Sequence, residues 1–300
     1  MEVLTPQPLR QGDRIAICAP SSIIKPQCVY EAMDVLRDQG WDPYVTPNTF
    51  DRFGTYSGTD RQRGDDVVQA LSDPSTRAII CARGGYGFVH LLERLDSLDF
   101  RSDPKWVVGY SDISAFHALM TRHGIASLHA PMTKHIATHK GEDEDSQRLF
   151  AILRGELPPV EIEPNEFDRR GKVTAPVTGG NLAVISGLFA TPFDVIKPGN
   201  ILFIEDIAEP VYKVERIMYQ LRLNGVLGKL GGLIVGRFTD YKPDADFESM
   251  EGMISAMLRG YDYPVAFGMP LGHVDHNIPM PCALTATLDV TSSGATLTWE

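Results

Sequence analysis

Short apolar segments alternate with amphipathic segments through the first half of the chain. The apolar segments are rich in Val, Ile and Ala, as buried parallel strands are, and they lie within 13–22, 78–82 and 106–109. Between them, apolar residues recur at helical spacing over 25–39, 60–71 and 113–122. This alternation predicts an α/β fold with a doubly wound, mostly parallel sheet.

Two glycine-containing loops, 83–87 and 109–112, follow consecutive predicted strands. In such sheets ligands bind outside the carboxyl ends of the strands. Glycine lets the backbone approach a ligand closely, and successive N–H groups form a concavity for negative charge. The first loop could also hold a phosphate. However, the chain contains neither G-x-x-x-x-G-K-[ST] nor G-x-G-x-x-G, so a nucleotide is the weaker expectation.

Ser111 lies where the apolar segment 106–109 ends and a helical pattern begins. This arrangement resembles a nucleophile elbow, in which a serine hydroxyl is exposed above the sheet and the next N–H, here that of Asp112, can bind an oxyanion. The match to G-x-S-x-G is incomplete because Ile113 replaces the second glycine. A simple helix N-cap role for Ser111 is the alternative. If Ser111 is a nucleophile, loop 83–87 would supply the second oxyanion donor.

The chain changes character after residue 134. Segment 135–176 is rich in charged residues and proline and contains one convincing helix, 144–154, so we expect a connection between domains. We therefore predict a nucleophile domain over 1–134 and a mixed α/β domain over 177–300. In the second domain we expect a terminal hairpin and strands at 200–204, 232–236 and 264–267.

Glu205 and His273 each follow an apolar strand segment, where a side chain can face a cleft. With Ser111 they could supply a nucleophile, a base and an orienting carboxylate, because a serine needs a base and an imidazole needs a carboxylate to fix its tautomer. Alternatively, Glu205 pairs with Lys213 or Arg216, and His273 is an ordinary loop residue. Adjacent residues of a strand point to opposite sides, so only Glu205 or the aspartate after it should face His273.

Composition narrows the choice of partner. The formal net charge is −11 and no cluster of Lys and Arg occurs, which argues against nucleic acid and favours a small-molecule partner. No apolar run approaches the roughly 20 residues that span a bilayer, and the N-terminus lacks the pattern of a signal peptide. The 4 cysteines show no C-x-x-C spacing and suit a reducing compartment, so we expect a cytoplasmic protein that does not bind membranes.

His135 and His139 are spaced i, i+4 and could present two ligands to a metal from one helix face. No H-E-x-x-H pattern accompanies them, and Lys134 and Lys140 add unfavourable charge beside them. We therefore expect no metal and no cofactor.

Several segments together resemble the LD-carboxypeptidase family, and the resemblance extends almost from end to end. These segments are 12–15 (GDRI), 19–22 (APSS), 82–87 (ARGGYG), 109–112 (GYSD), 204–206 (IED) and 268–273 (GMPLGH). The resemblance implies a Rossmann-like N-terminal nucleophile domain, a C-terminal domain that supplies a glutamate and a histidine, and an active site between them.

The same resemblance assigns residues to roles. It implies Ser111 as nucleophile, with Glu205 and His273 completing the triad. The backbone N–H groups of Gly85 and Asp112 are the implied oxyanion donors, although the choice between Gly84 and Gly85 stays open. From the same glycine loop, we expect Arg83, Gly84 and Tyr86 to contact substrate.

The family comprises serine peptidases of two kinds. For the murein tetrapeptide carboxypeptidases, the resemblance implies cleavage of the L,D-bond between meso-diaminopimelate and a terminal D-alanine in recycled cytoplasmic peptides. For the microcin C self-immunity peptidases, it implies hydrolysis of an aminoacyl-nucleotide analogue. A non-catalytic Rossmann-type binding protein is the remaining alternative. The resemblance also suggests a homodimer.

Overall fold

The computed structural model describes residues 2–300, which form two compact units. The first comprises the described part of Met1–Leu157 together with Ile278–Cys282, and the second comprises Pro158–Asn277 together with Ala283–Glu300. Among the helices of residues 2–300, none has both the length and the apolar character needed to span a membrane.

The strands in chain order are β1 (Arg14–Cys18), β2 (Asp42–Val45), β3 (Thr76–Cys81), β4 (Trp106–Gly109), β5 (Ser127–His129), β6 (Val160–Ile162), β7 (Gly171–Asn181), β8 (Ile201–Ile207), β9 (Gly232–Thr239), β10 (Val265–Phe267), β11 (Met280–Cys282), β12 (Thr285–Thr291) and β13 (Gly294–Trp299). The α-helices are α1 (Pro26–Asp38), α2 (Asp60–Ser72), α3 (Leu92–Leu95), α4 (Ser114–Arg122), α5 (Thr133–His139), α6 (Glu144–Leu153), α7 (Leu182–Gly187), α8 (Val211–Leu223) and α9 (Met250–Met257). Short 3₁₀ helices cover Phe88–Leu91, Ser111–Ile113 and Leu227–Lys229.

The sheet of the first unit has the strand order β2-β1-β3-β4-β5-β11. Strands β1 to β5 run parallel, and β11 pairs antiparallel with β5. The order 2-1-3-4-5 is that of flavodoxin-like doubly wound sheets, where ligands bind between the first and third strands because the connections diverge there. The α/β class and the parallel sheet predicted from the sequence are confirmed.

The central strands of this sheet are buried by their own apolar side chains. Ile15, Ile17, Ile79, Ile80 and Val107 are 0% exposed. Burying an aliphatic side chain of this size contributes about 1.5–3 kcal/mol relative to leaving it in water. The strands therefore form a rigid base from which the loops after β1, β3 and β4 extend.

The sheet of the second unit has the order β10-β9-β8-β7-β12-β13-β6. Its parallel part, β7 to β10, is joined to an antiparallel part by β7, because residues 171–176 pair with β12 and residues 177–181 pair with β8. The predicted terminal hairpin corresponds to β12 and β13. In this arrangement Glu205 lies within β8, two residues before the strand ends.

Segment 135–176, which the sequence predicts as a connection, is divided between the two units. Helix α6 buries Leu149, Phe150 and Leu153 in the first unit, while Val160 and Ile162 of β6 are buried in the second. The charged residues that suggest a solvated linker lie largely on the exposed faces of these elements. Their apolar residues instead add both parts of the segment to folded cores.

Gly179 in β7 should be intolerant of any side chain, because a Cβ there would overlap the carbonyl oxygen of Phe203 on β8. We expect Gly179→Ala to lower the free energy of unfolding by about 3 kcal/mol or more. Gly187 is the matched control, because a Cβ at this end of α7 would meet no atom within 4 Å. Urea denaturation should show Gly187→Ala within about 1 kcal/mol of the native chain. Equal effects of the two substitutions would contradict this account.

Candidate active site

Ser111 occupies a strained position immediately after β4. Its φ is +66°, in the left-handed region that a residue with a Cβ rarely adopts. Such a residue costs about 1–3 kcal/mol and persists only where its surroundings hold it. Tyr110 occupies the N-cap position of the following 3₁₀ helix, and no side chain caps that helix. The N-cap residue of α4 is Ile113, and no side chain caps that helix either, so the N-cap alternative for Ser111 is wrong.

Gly84 brings the glycine loop against Ser111. A Cβ on Gly84 would lie 2.8 Å from Ser111 Cβ and 3.2 Å from its Oγ, so only glycine allows this approach. The next residue, Gly85, has φ +108° and lies so close to Ser22 that a Cβ there would overlap the Ser22 hydroxyl. The loops after β1, β3 and β4 thus meet around the Ser111 side chain.

Asp112 contributes both its backbone and its side chain to this meeting point. It is the second residue of the 3₁₀ helix, where an N–H has no acceptor within the helix itself. Asp112 is 2% exposed, and its carboxylate accepts hydrogen bonds from Ser21 Oγ at 2.6 Å and from the Phe88 N–H at 2.8 Å. For the active site, the sequence predicts a role only for the backbone N–H of Asp112.

His117 of α4 holds the last residue of β4, Gly109, through a hydrogen bond. Its Nε2 lies 2.8 Å from the Gly109 carbonyl oxygen, which can only accept, so Nε2 carries the proton. Nδ1 then accepts from Ser127 Oγ at 2.9 Å. Burial, reinforced by nearby His129, lowers the pKa of His117 to about 3, so the ring stays neutral. Sequence reasoning missed this residue.

The remaining residues of loop 83–87 are partly accessible. Arg83 is exposed, and its Nη1 donates to the Ile23 carbonyl oxygen at 2.8 Å. Tyr86 is 56% exposed, and its ring centroid lies 5.4 Å from that of His90 and 6.3 Å from that of Tyr56. Together they place a guanidinium and an aromatic cluster on either side of the two glycines.

Loop 51–60 is rich in glycine and polar residues, a composition that indicates the rim of a site or a mobile cover over it. The loop is anchored to the loop after β1. The Ile23 N–H donates to Thr55 O, and the Ser57 N–H donates to Ser21 O. This loop brings Tyr56 to Tyr86, while Phe53 remains 61% exposed.

In the second unit, Glu205 and His273 form a hydrogen-bonded pair. Glu205 lies in β8, is 0% exposed, and its Oε2 is 2.9 Å from His273 Nδ1. A carboxylate at Nδ1 holds the tautomer whose Nε2 can accept a proton. Gly272 permits the contact, because a Cβ there would lie 2.8 Å from Glu205 Cβ. Lys213, an alternative partner suggested by the sequence, pairs instead with Glu209.

Asp206 has different partners from those of Glu205. Its carboxylate accepts from Asn181 Nδ2 and from the N–H groups of Ala183 and Ile207, at 2.8–2.9 Å. Burial, with a contribution from the charge of Glu205, raises the pKa of Asp206 to about 6. The contacts tie β8 to the start of α7, so Asp206 has a structural role.

The histidines that the sequence offers as metal ligands belong to a third group of residues. His135 Nε2 lies 2.7 Å from Asp143 Oδ2, and donor atoms of His135, Asp143 and Asp145 lie within 4.8 Å of one another. Asp143 also caps α6 through the Ser146 N–H, and His139 stacks near His135 with ring centroids 4.3 Å apart. These residues belong to α5 and the start of α6, not to the loops that follow the strands.

Comparison with known proteins gives consistent matches over most of the chain. The model of the LD-carboxypeptidase N-terminal domain matches residues 15–130, and that of the C-terminal domain matches residues 174–288. The murein tetrapeptide carboxypeptidase of Pseudomonas aeruginosa is 28% identical, over 92% of this chain and 93% of its own. The microcin C7 self-immunity protein MccF of Escherichia coli is 25% identical, over 97% of this chain and 94% of its own. A crystal structure of muramoyltetrapeptide carboxypeptidase from Oxalobacter formigenes matches with a TM-score of 0.86 at 26% identity, covering 95% of this chain and 98% of that chain.

Because burial keeps His117 neutral in the folded chain, the free energy of unfolding should depend on pH. Its pKa is about 3 when folded and 6.5 in the reference state, so between these values the unfolded chain binds the extra proton. This contribution to stability is therefore complete above pH 6.5 and is lost as pH falls. We expect the contribution of His117 to the free energy of unfolding to fall by about 2 kcal/mol between pH 7.5 and pH 5.

The difference in unfolding free energy between the native chain and His117→Gln, determined by urea denaturation at the two pH values, separates this loss from the opposite contribution of Asp206, whose raised pKa stabilises the folded chain as pH falls. His117→Gln, which keeps an amide donor for Gly109 O, should remove most of the loss, whereas His276→Gln at an exposed position should not. An unchanged pH dependence in His117→Gln would contradict the assignment.

Proposed function

This chain belongs to the LD-carboxypeptidase family and is a serine carboxypeptidase, and from that premise we propose that Ser111 is the nucleophile, His273 the general base and Glu205 the orienting carboxylate. The observation that carries the proposal is the strained backbone of Ser111, with Gly84 packed against its side chain. The 2.9 Å contact between Glu205 and His273 supports the other half of the triad.

The proposed reaction is acyl transfer. His273 Nε2 takes the proton of the Ser111 hydroxyl as Oγ attacks the amide carbon, and the carbonyl oxygen becomes an oxyanion. The N–H groups of Gly85 and Asp112 stabilise that oxyanion. The imidazolium then gives its proton to the leaving amine, and water, deprotonated by His273, hydrolyses the acyl ester. Glu205 stays ionised and stabilises the imidazolium.

We propose a murein tetrapeptide as substrate, with release of its terminal D-alanine. The similarity to two murein carboxypeptidases, at 28% and 26% identity, supports this choice over the microcin-type alternative, which rests on a relative at 25%. Arg83 supports it too, because its exposed guanidinium suits a terminal carboxylate. Gly84 and Tyr86 would contact the peptide beside it.

Location and assembly are proposed on other grounds. The 4 cysteines, Cys18, Cys28, Cys81 and Cys282, are free, which is typical of a reducing compartment and supports a cytoplasmic protein. The proposal of a homodimer rests on the family resemblance alone, and light scattering of the purified protein tests it.

The activity assay compares two substrates in parallel, a murein tetrapeptide and an aminoacyl sulfamoyl adenosine. We expect release of D-alanine from the first, and loss of turnover by at least about 10³-fold in Ser111→Ala with an unchanged melting temperature. Ser97→Ala, at an exposed serine, is the control. Turnover of the nucleotide analogue alone would select the microcin-type function. Binding without turnover of either compound would select a non-catalytic protein.

The orienting carboxylate is tested by two neighbouring substitutions. Glu205→Gln can present an amide N–H to His273, so it should lower kcat by about 10⁴-fold, as the analogous change does in serine proteases. Asp206→Asn should leave kcat much less affected but lower the melting temperature, because Asp206 accepts three N–H hydrogen bonds. A larger loss of kcat in Asp206→Asn, with the fold intact, would reverse the assignment.

A further inference from the structure

Arg63 is a charged side chain that the proposed reaction does not use, although it is completely buried beside the glycine loop. It lies on α2, and its side chain is 0% exposed. Its Nη1 donates to the carbonyl oxygens of both Pro20 and Gly87, the latter at 3.0 Å. One side chain therefore bridges the loop after β1 and the loop after β3.

The Asp112 carboxylate connects the same two loops through a second pair of hydrogen bonds. Its Oδ2 accepts from Ser21 Oγ in the first loop and from the Phe88 N–H in the second. Pro20 and Ser21 are adjacent, as are Gly87 and Phe88. Arg63 and Asp112 thus hold neighbouring points of each loop.

The contacts to the second loop involve a single peptide group. The Gly87 carbonyl accepts from Arg63, and the Phe88 N–H of the same peptide donates to Asp112. A peptide group is planar, so bonds at both ends fix its orientation. The charges also match its dipole, with the cation at the oxygen and the anion at the N–H.

Gly85 is connected to this arrangement through Ser22. The Ser22 N–H donates to Gly84 O at 3.2 Å, and Ser22 Oγ accepts from the Tyr86 N–H at 3.3 Å. These bonds hold the residues on both sides of Gly85. Its N–H is therefore positioned by a loop that Arg63 and Asp112 hold directly.

We propose that Arg63 and the Asp112 carboxylate are positioning residues that set the distance between the oxyanion donors. The inference rests on the proposed function, in which the N–H groups of Gly85 and Asp112 bind the oxyanion. It adds a side-chain pair that touches no reacting atom. Loss of either member lets the glycine loop move relative to the Asp112 N–H, so the transition state loses hydrogen bonds that the ground state does not use.

The test uses conservative variants of each contact. Arg63→Lys keeps the charge but reaches one carbonyl instead of two, and Ser21→Ala removes one of the two Asp112 bonds with little change in volume. Asp112→Asn keeps the shape and removes the charge. Arg61→Lys is the matched control, because Arg61 lies on the same helix with its side chain 89% exposed.

Steady-state kinetics with the murein tetrapeptide should show kcat reduced about 10- to 10³-fold in the three variants, with KM within about threefold of the unsubstituted enzyme. The second readout is inhibition by a tripeptide aldehyde that ends at the acyl residue. Ser111 Oγ adds to its carbonyl carbon, and the proton moves to the oxygen, which occupies the oxyanion site. The inhibition constant should rise in proportion to the fall in kcat/KM.

Three results would overturn the proposal. The first is a variant series with lowered melting temperatures but unchanged kcat. The second is a rise in KM that accounts for the whole loss of kcat/KM. The third is unchanged aldehyde inhibition despite lowered turnover. Failure of the proposed function is distinguishable, because in that case the unsubstituted enzyme itself does not turn over the tetrapeptide and the positioning role fails with it.

Discussion

The close approach of the Gly84 backbone to Ser111 is the constraint on which the first unit's site depends. Strands β3 and β4 are hydrogen-bonded neighbours, so the loops that follow them begin side by side. A side chain on Gly84 would displace Ser111, and one on Gly85 would displace Ser22. The strand order 2-1-3-4-5 adds the loop after β1 to the same place. The position of each loop therefore depends on the other two.

This interdependence explains how the left-handed backbone conformation of Ser111 is tolerated. The strain at Ser111 must be offset by its surroundings. Gly109, two residues before Ser111, is held at its carbonyl oxygen by His117. Asp112, the residue after Ser111, is held because its carboxylate accepts hydrogen bonds from Ser21 and Phe88 of two other loops. The backbone on both sides of Ser111 is therefore fixed by buried side chains. These buried side chains hold the backbone from which the Ser111 side chain extends.

The fold could be predicted well because its signals are local. Apolar strand segments and helical periodicity predict the parallel sheet, and Ser111, Glu205 and His273 attract attention because each interrupts or follows an apolar run. The packing of segment 135–176 into both units could not be predicted, because its high charge conceals the apolar residues by which α6 and β6 are buried. Whether a charged segment is a linker depends on the opposing surface, which the sequence does not specify.

Arg63 could not be identified for a related reason. It lies in a run of charged residues at the start of α2, which is typical of a solvated face, yet Arg63 is 1% exposed and Asp66 is 3% exposed. A signal was present, since both residues are in helical register with Val67 and Ala70, which are buried. Polar residues on an apolar stripe indicate buried hydrogen bonding, but the bonded groups, carbonyls of distant loops, are defined only by the tertiary structure.

The second unit shows how two adjacent buried carboxylates can coexist. Burying a carboxylate is costly unless hydrogen bonds replace water, and two neighbouring charges also repel each other. Asp206 meets this cost with three N–H donors, one of them at the start of α7, yet its pKa still rises to about 6. Glu205 has the imidazole of His273 as a partner. Because the strand directs the two carboxylates to different partners, Asp206 ties β8 to the start of α7 while Glu205 contacts His273.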